Sequence, residues 1–331
     1  MRRGGGDGER GRGGDTETRR RGDAETGADY YGSLSPADKV VVAYISIIAA
    51  LVVISNERIS GWLWFVLAHA LAILCVVLIA KLGGTSPRLR VSASPRLPVS
   101  FLRAWYPVAL IPFTYKELEY LIPRIHPRDF DWELAAIDRW IFGVDPTVWL
   151  ERATWPLLTE LFQLSYITYY VLPLALGVVV WRKGWFDKFH FLVFVIVLSF
   201  YISYLGYIAV PAIGPRFILA GDQSFPLKGL LLVDWIRATL DRAEGITRDC
   251  FPSGHVMLTL VVVYYARKFH RPTFWWALPA ASALIISTVY LRYHYVVDVI
   301  AGVVLAVAVV ASADLLYKTL GGNMRSSNEG A

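Results

Sequence analysis

Two histidines, one aspartate and several arginines stand in this sequence at spacings that could move a phosphoryl group. His294 and Asp298 lie four residues apart in the stretch Arg292-Tyr293-His294-Tyr295-Val296-Val297-Asp298, so at a helix start they share a face. A carboxylate bonded to one ring nitrogen of a histidine fixes the tautomer and raises the basicity of the other nitrogen. That converts an imidazole into a nucleophile or a base. His255 closes the run Phe251-Pro252-Ser253-Gly254-His255, which reads as the beginning of a helix. Proline suits a first turn, Ser253 can cap, and Gly254 lets a ligand approach the backbone. Free N–H groups at such a helix start bind anions. Arg216, in Gly214-Pro215-Arg216, together with Arg292 and Arg248, offers guanidinium forks matched to phosphate. Two histidines, a carboxylate, arginines and a helix N-terminus are what phosphoryl transfer without a metal needs. His255, His294 and Asp298 could instead hold a metal, but the arginines would repel a cation. No metal or other cofactor is expected.

These groups can act together only if the chain brings them to one place, and the composition says how. The 331 residues are 55% hydrophobic, with a mean hydropathy of +0.45, too apolar for a soluble chain of this size. The excess must face lipid. Runs of about 20 apolar residues mark membrane spans, and eight are expected: Val40–Ser55, Gly61–Ala80, Phe101–Ile122, Leu157–Trp181, Phe189–Val210, Gly254–Phe269, Phe274–Leu291 and Tyr295–Tyr317. The basic residues then orient the chain. With the Arg-rich N-terminus in the cytoplasm, the inner loops Lys81–Arg103, Arg182–Lys188 and Arg267–Arg271 are short and basic, while the long outer segments Pro123–Pro156 and Pro211–Pro252 mix acids and bases. The charge of +6 therefore serves orientation and argues little for nucleic acid. Both termini fall inside, and the three motifs fall together on the outer side. From His255 to His294 the chain crosses the bilayer and returns, which lets the two rings meet at one depth. Asp131–Leu150 carries Trp132, Leu134, Ile137, Trp140 and Ile141 at helical spacing and is expected to lie on the outer membrane surface; a helix packed on the outer loops fits the same pattern.

The motifs Pro252-Ser253-Gly254-His255 and His294 with Asp298, followed by Gly302, resemble those of the type 2 phosphatidic acid phosphatase superfamily. Gly214-Pro215-Arg216 and the run from Ile137 through Asp138 to Pro146 look more like the branch containing inositol phosphorylceramide synthases. Each piece alone is a weak pattern; in this order, at this spacing and on one membrane side they are specific. The resemblance implies that His294 attacks phosphorus, Asp298 orients it, and His255 protonates the leaving oxygen. It also implies that Ser253, the Gly254 amide, Arg216 and Arg292 hold the phosphate oxygens. Two positions depart from the phosphatase pattern: Thr288 stands where an arginine precedes the nucleophile, and Ala209 where a lysine is found. Lys116 can replace that lysine, although pairing with Glu117 or Glu119 is the plainer reading.

The expected protein is an all-α polytopic membrane protein, a bundle of about eight transmembrane helices with the active site at the outer face. Residues 1–35 form a disordered Gly/Arg-rich cytoplasmic tail, residues 36–100 two N-terminal spans and a basic inner loop, residues 101–320 the phosphatase- or phosphotransferase-like domain, and residues 321–331 a disordered C-terminal tail. A phosphohistidine resolved by water makes a lipid phosphate phosphatase. One resolved by an alcohol makes a phosphoalcohol transferase, as inositol phosphorylceramide synthases are. Its partners are then a lipid phosphate, water or an alcohol acceptor, and the surrounding lipids. A transporter or channel using Lys116, Glu117 and the histidine pair is the rival from another class; no repeated half in the sequence supports it. Cys75 and Cys250 are expected to be free thiols, and His69, His126, His190 and His270 ordinary interfacial histidines.

Overall fold

The computed structural model describes residues 34–82, 97–245 and 248–323. Most of the N-terminal tail, much of the basic loop after the second span and most of the C-terminal tail lie outside the described residues. Among the described residues there are twelve α-helices and no strand. In chain order they are α1 (Pro36–Ile54), α2 (Trp62–Leu82), α3 (Leu97–Ile125), α4 (Asp131–Phe142), α5 (Pro146–Trp149), α6 (Pro156–Arg182), α7 (Phe186–Ala209), α8 (Pro215–Ile218), α9 (Val233–Glu244), α10 (Gly254–Phe269), α11 (Arg271–Tyr290) and α12 (Val296–Thr319). Local chemistry sets several of the starts. A Ser35–Asp38 capping box with Pro36 in the first turn opens α1. Ser253 caps α10, and the His270 ring accepts from the Thr273 amide at the start of α11.

Every expected span has a helix, and six of these helices are long and apolar enough to cross a membrane: α1, α2, α6, α7, α11 and α12. The other two differ for identifiable reasons. Helix α3 has 29 residues but carries Arg103, Lys116, Glu117, Glu119 and three internal prolines. Helix α10 has only 16 residues, or about 24 Å against a hydrocarbon thickness of about 30 Å. It is enclosed by α6, α7, α11 and α12, so it need not meet lipid along its length. Helix α7 is the axis of the bundle, with Phe189, Phe191, Leu192, Phe194, Val195 and Val197 fully buried. Helix α2 lies at the periphery and exposes Leu63, Trp64, Leu67, Leu71, Leu74 and Leu78. In water an outward apolar band of that kind would be unstable; facing lipid, it is what a span requires. The protein is an integral membrane protein.

The two long connecting segments, those expected on the outer side, fold onto one end of the bundle. Helix α4 buries Asp131, Leu134, Ala135 and Asp138 and leaves Trp132, Ile137, Trp140 and Ile141 exposed. Its inward face is thus partly acidic. The carboxylates have work there: Asp131 accepts from the Ile213 and Gly214 amides (2.9 and 2.8 Å) and from the Tyr295 hydroxyl (3.0 Å). Asp138 accepts from the Val296 and Val297 amides, both at 2.8 Å, and so satisfies N–H groups that the first turn of α12 leaves free. Burial pushes both carboxyls above the usual aspartate range, and the amide bonds oppose the shift. Glu160 of α6 gathers the amides of Leu230, Leu231 and Leu232 at 2.7–3.1 Å, just before α9.

Candidate active site

Helices α10 and α12 run side by side, and their N-terminal ends carry the two histidines. The Ser253 amide donates to the Asp298 carbonyl (3.1 Å), tying one helix start to the other. One turn along α12, Gly302 sits against this junction: a Cβ there would lie 2.6 Å from the Ser253 carbonyl oxygen and 3.0 Å from Val256 Cβ. Backbone cannot yield as a side-chain tip can, so Gly302→Ala must push α10 from α12. A misplacement approaching 1 Å at reacting groups costs roughly 100-fold in rate. Gly302→Ala is expected to lose about that much kcat while still inserting and folding, as read by steady-state kinetics beside thermal unfolding in detergent. Full activity would show that the helix spacing does not matter to the site.

His255 lies in the first turn of α10, between two tyrosines of α6. Its ring centroid is 4.5 Å from that of Tyr166 and 4.2 Å from that of Tyr169. The Nε2 atom is buried with no hydrogen-bond partner. Gly254, just before it, could not bear a Cβ without meeting the Tyr207 hydroxyl at 2.4 Å. His294 sits at the end of a tight turn in which Arg292 adopts a positive φ of 65° and the Tyr293 and His294 amides both donate to the Thr288 carbonyl at 3.0 Å. The Thr288 carbonyl therefore shapes the backbone that presents the histidine. The facing atoms of the two imidazoles, His294 Nε2 and His255 Nδ1, are 3.4 Å apart.

The other nitrogen of His294 has two acceptors. Nδ1 is 2.8 Å from the Cys250 carbonyl oxygen and 3.4 Å from Asp298 Oδ2. The carbonyl is the nearer, but both require the same tautomer, a proton on Nδ1 and a lone pair on Nε2. That lone pair faces His255. Asp298 is fully buried and accepts from the Tyr295 amide (2.7 Å) and the Cys250 thiol (2.9 Å) through Oδ2, while Oδ1 has no partner. Burial, followed by the Asp298 charge, raises the Cys250 thiol well above its ordinary range. Asp249, bonded to the Tyr115 hydroxyl at 2.6 Å, is also raised by burial, against pulls from Tyr115, His294 and Arg216.

The structure thus brings His255, His294, Asp298, Ser253 and Gly254 together. The cations are distributed differently. Arg216 stands over the Tyr293 ring (5.4 Å), one residue from His294, and pairs with Asp241 at 2.9 Å. Arg292 points the other way, into the outer segments: it donates to Gln223 Oε1 (2.8 Å), the Phe225 carbonyl (2.9 Å) and Glu151 (2.7 Å), and burial lowers its guanidinium pKa. Arg248 makes a two-pronged pair with Asp129 at 2.7 and 3.0 Å. Lys116 pairs with Glu119 at 2.8 Å, and Glu117 with His69 at 2.9 Å. Sequence reasoning gave Cys250, read only as a free thiol, and Asp138, quoted only within a motif, no place at the site, and missed Tyr166, Tyr169, Asp131, Glu151 and Glu160. Of these only Asp131 and Asp138 had a signal: seven residues apart, they occupy one helix face.

Comparison with known proteins adds three findings. The family model described as PAP2 superfamily matches residues 132–312, which takes in α4 through most of α12 and both histidines. A PA-phosphatase related-family protein of Dictyostelium discoideum is 26% identical over 164 residues, 43% of this chain and 30% of that protein; the chain therefore spans under a third of that relative's length. No solved structure matches.

Proposed function

The chain belongs to the PAP2 superfamily, and we propose that it is a membrane-embedded enzyme that transfers phosphoryl groups from a lipid through a phosphohistidine. Phosphatase-type chemistry follows from the family; the lipid, the intermediate and the residue roles are the proposal. The observation that carries it is the His294 ring. Its Nδ1 is held by the Cys250 carbonyl and Asp298, and its Nε2 lies 3.4 Å from His255. In the first step the Nε2 lone pair attacks phosphorus, the P–O bond to the lipid breaks, and His255 gives its proton to the departing oxygen. In the second, water attacks the phosphohistidine, His255 takes the proton, and His294 is restored. A phosphate entering the site parts the two rings. The Ser253 hydroxyl, the amides at the start of α10 and Arg216 then surround its oxygens. Arg216 would first have to leave Asp241, and Arg292, Arg248 and Lys116 stand as further candidates that would likewise have to leave their carboxylate partners. In this proposal the site lies on the extracytoplasmic face, with both termini cytoplasmic, the orientation that the basic bias of the short loops supports.

One observation favours an alcohol as acceptor and a phosphodiester as donor. Arg216, Arg248 and Arg292 each face a carboxylate, Asp241, Asp129 and Glu151 respectively. With Arg216, the arginine beside His294, so neutralised, the site suits a singly charged phosphodiester better than a doubly charged monoester. Phosphoalcohol transfer, as in inositol phosphorylceramide synthases, is the reaction of that kind.

The deciding experiment incubates the purified full-length protein with labelled phosphomonoester, pyrophosphate and phosphodiester lipids, with and without added alcohols and with a chelator present. Released phosphate, or a phosphoalcohol on a new acceptor, is expected, with acid-labile phosphate on the protein and no loss to the chelator. Turnover of none of these lipids, or turnover restored only by one divalent metal, would sink the reading. Solute flux that survives loss of His294 would favour the transporter alternative.

A further inference from the structure

We infer that Cys250, His294 and Asp298 form a binding site for a borderline-soft divalent cation such as zinc, and that filling it switches the nucleophile off. The second half rests on the role proposed for His294; the binding itself does not. The mechanism makes no use of the Cys250 thiol, yet that thiol is buried beside Asp298 and His294. Its Sγ is 2.9 Å from Asp298 Oδ2 and 3.7 Å from His294 Nδ1, and those two atoms are 3.4 Å apart. A triangle with these sides has a point about 2 Å from every corner, within reach of the Zn–N and Zn–O distances of about 2.0–2.2 Å and the Zn–S distance of about 2.3 Å. The cation fits between the three atoms once the S–H···O hydrogen bond opens. A thiolate, an imidazole and a carboxylate are a donor set that suits zinc and is poor for magnesium.

Two further observations point to a ligand here. Asp298 Oδ1 is buried without a hydrogen-bond partner, so the carboxylate has coordinating capacity that the protein leaves unused. The arginines that would repel a cation are each paired with a carboxylate: Arg216 with Asp241, Arg248 with Asp129, Arg292 with Glu151. A water, or the Cys250 carbonyl oxygen 2.8 Å from Nδ1, completes four ligands.

The consequence for His294 follows from its tautomers. Binding releases the thiol proton to solvent, and the ring proton passes from Nδ1 to Nε2, so one proton is lost in all. A neutral imidazole bound through Nδ1 carries its proton on Nε2. Nε2 then has no lone pair to attack phosphorus. Zinc at this site therefore holds the ring in the tautomer that cannot react.

The test uses full-length protein in detergent, stripped with chelator, exposed to Zn2+, desalted and assayed for metal by mass spectrometry. Wild type and Cys75→Ser, which alters the other cysteine, are expected to keep one zinc per chain. Cys250→Ser, Cys250→Ala and Asp298→Asn should keep at least tenfold less, and zinc should protect Cys250 from alkylation. With each variant referred to its own zinc-free rate, Zn2+ should inhibit wild type at concentrations at least tenfold lower than Cys250→Ser, and Mg2+ should not inhibit. Zinc retained equally without the thiol, or not retained by wild type, overturns the site. Retained zinc with undiminished turnover overturns the switch. Zinc retained as expected by a protein that turns over no phosphate ester leaves the site standing and removes the enzymatic reading instead.

Discussion

His294→Ala is expected to lose all measurable turnover on every phosphate ester offered, and to carry no acid-labile phosphate. Removing the nucleophile of a covalent mechanism costs on the order of a million-fold in kcat, because the remaining groups can only bind and polarise. The structure makes the test clean. The His294 ring is buried between Cys250, His255 and Asp298, while its backbone is fixed by the amide bond to Thr288 and the turn at Arg292. A smaller side chain leaves a cavity but not a different backbone. Asp298→Asn should fall between wild type and His294→Ala. The Cys250 carbonyl, 2.8 Å from Nδ1, still selects the reactive tautomer, but the negative charge that raises its basicity is gone. The comparison is kcat for the three proteins on one lipid phosphate, with labelled phosphoenzyme trapped in parallel. A phosphoenzyme that persists in His294→Ala would show that another residue is the nucleophile.

His255→Ala should instead depend on the leaving group. A lipid alkoxide is a poor leaving group and needs a proton as its bond to phosphorus breaks; a nitrophenolate leaves without one. General acid catalysis contributes about 100- to 10,000-fold. The loss should be of that size on an alkyl phosphate and no more than about tenfold on an activated aryl phosphate, with phosphoenzyme still forming from the latter. His255 is packed between Tyr166 and Tyr169, so truncation also removes aromatic contacts. For that reason the ratio between the two substrates carries the test, since a packing defect lowers both rates together. Equal losses on both substrates would assign His255 to positioning rather than to acid catalysis.

Much of this architecture is legible in the sequence because it is local. A span is a run of apolar residues, and a cap such as Ser253 acts within three residues of itself. The pairing of His294 with Asp298 is likewise an i, i+4 relation on one helix start. Two helices joined by a short turn must return to the same side, which is why residues 39 apart in sequence could be expected to meet. The helices α3 and α10 fall short of a plain span for reasons that are also local: α3 carries charges and internal prolines, and α10 has only 16 residues.

What the sequence could not determine is which partner each long-range polar group would choose. Arg216, Arg248 and Arg292 read alike as phosphate ligands, since type and membrane side are all that a sequence supplies. The fold separates them: Asp241 reaches Arg216 across 25 residues, Asp129 reaches Arg248 across 119, and Glu151 reaches Arg292 across 141. Asp138 in the same way meets the start of α12 across 158 residues, and Cys250, an unremarkable loop thiol in sequence, becomes a partner of Asp298 across 48. The sequence by itself determined the helical bundle and the i, i+4 pairing of His294 with Asp298, because periodicity and helix geometry act within a few residues. Only the tertiary structure decided which charges are spent on holding the outer segments and which groups surround His294. Those choices depend on where distant loops come to rest, which no local spacing records.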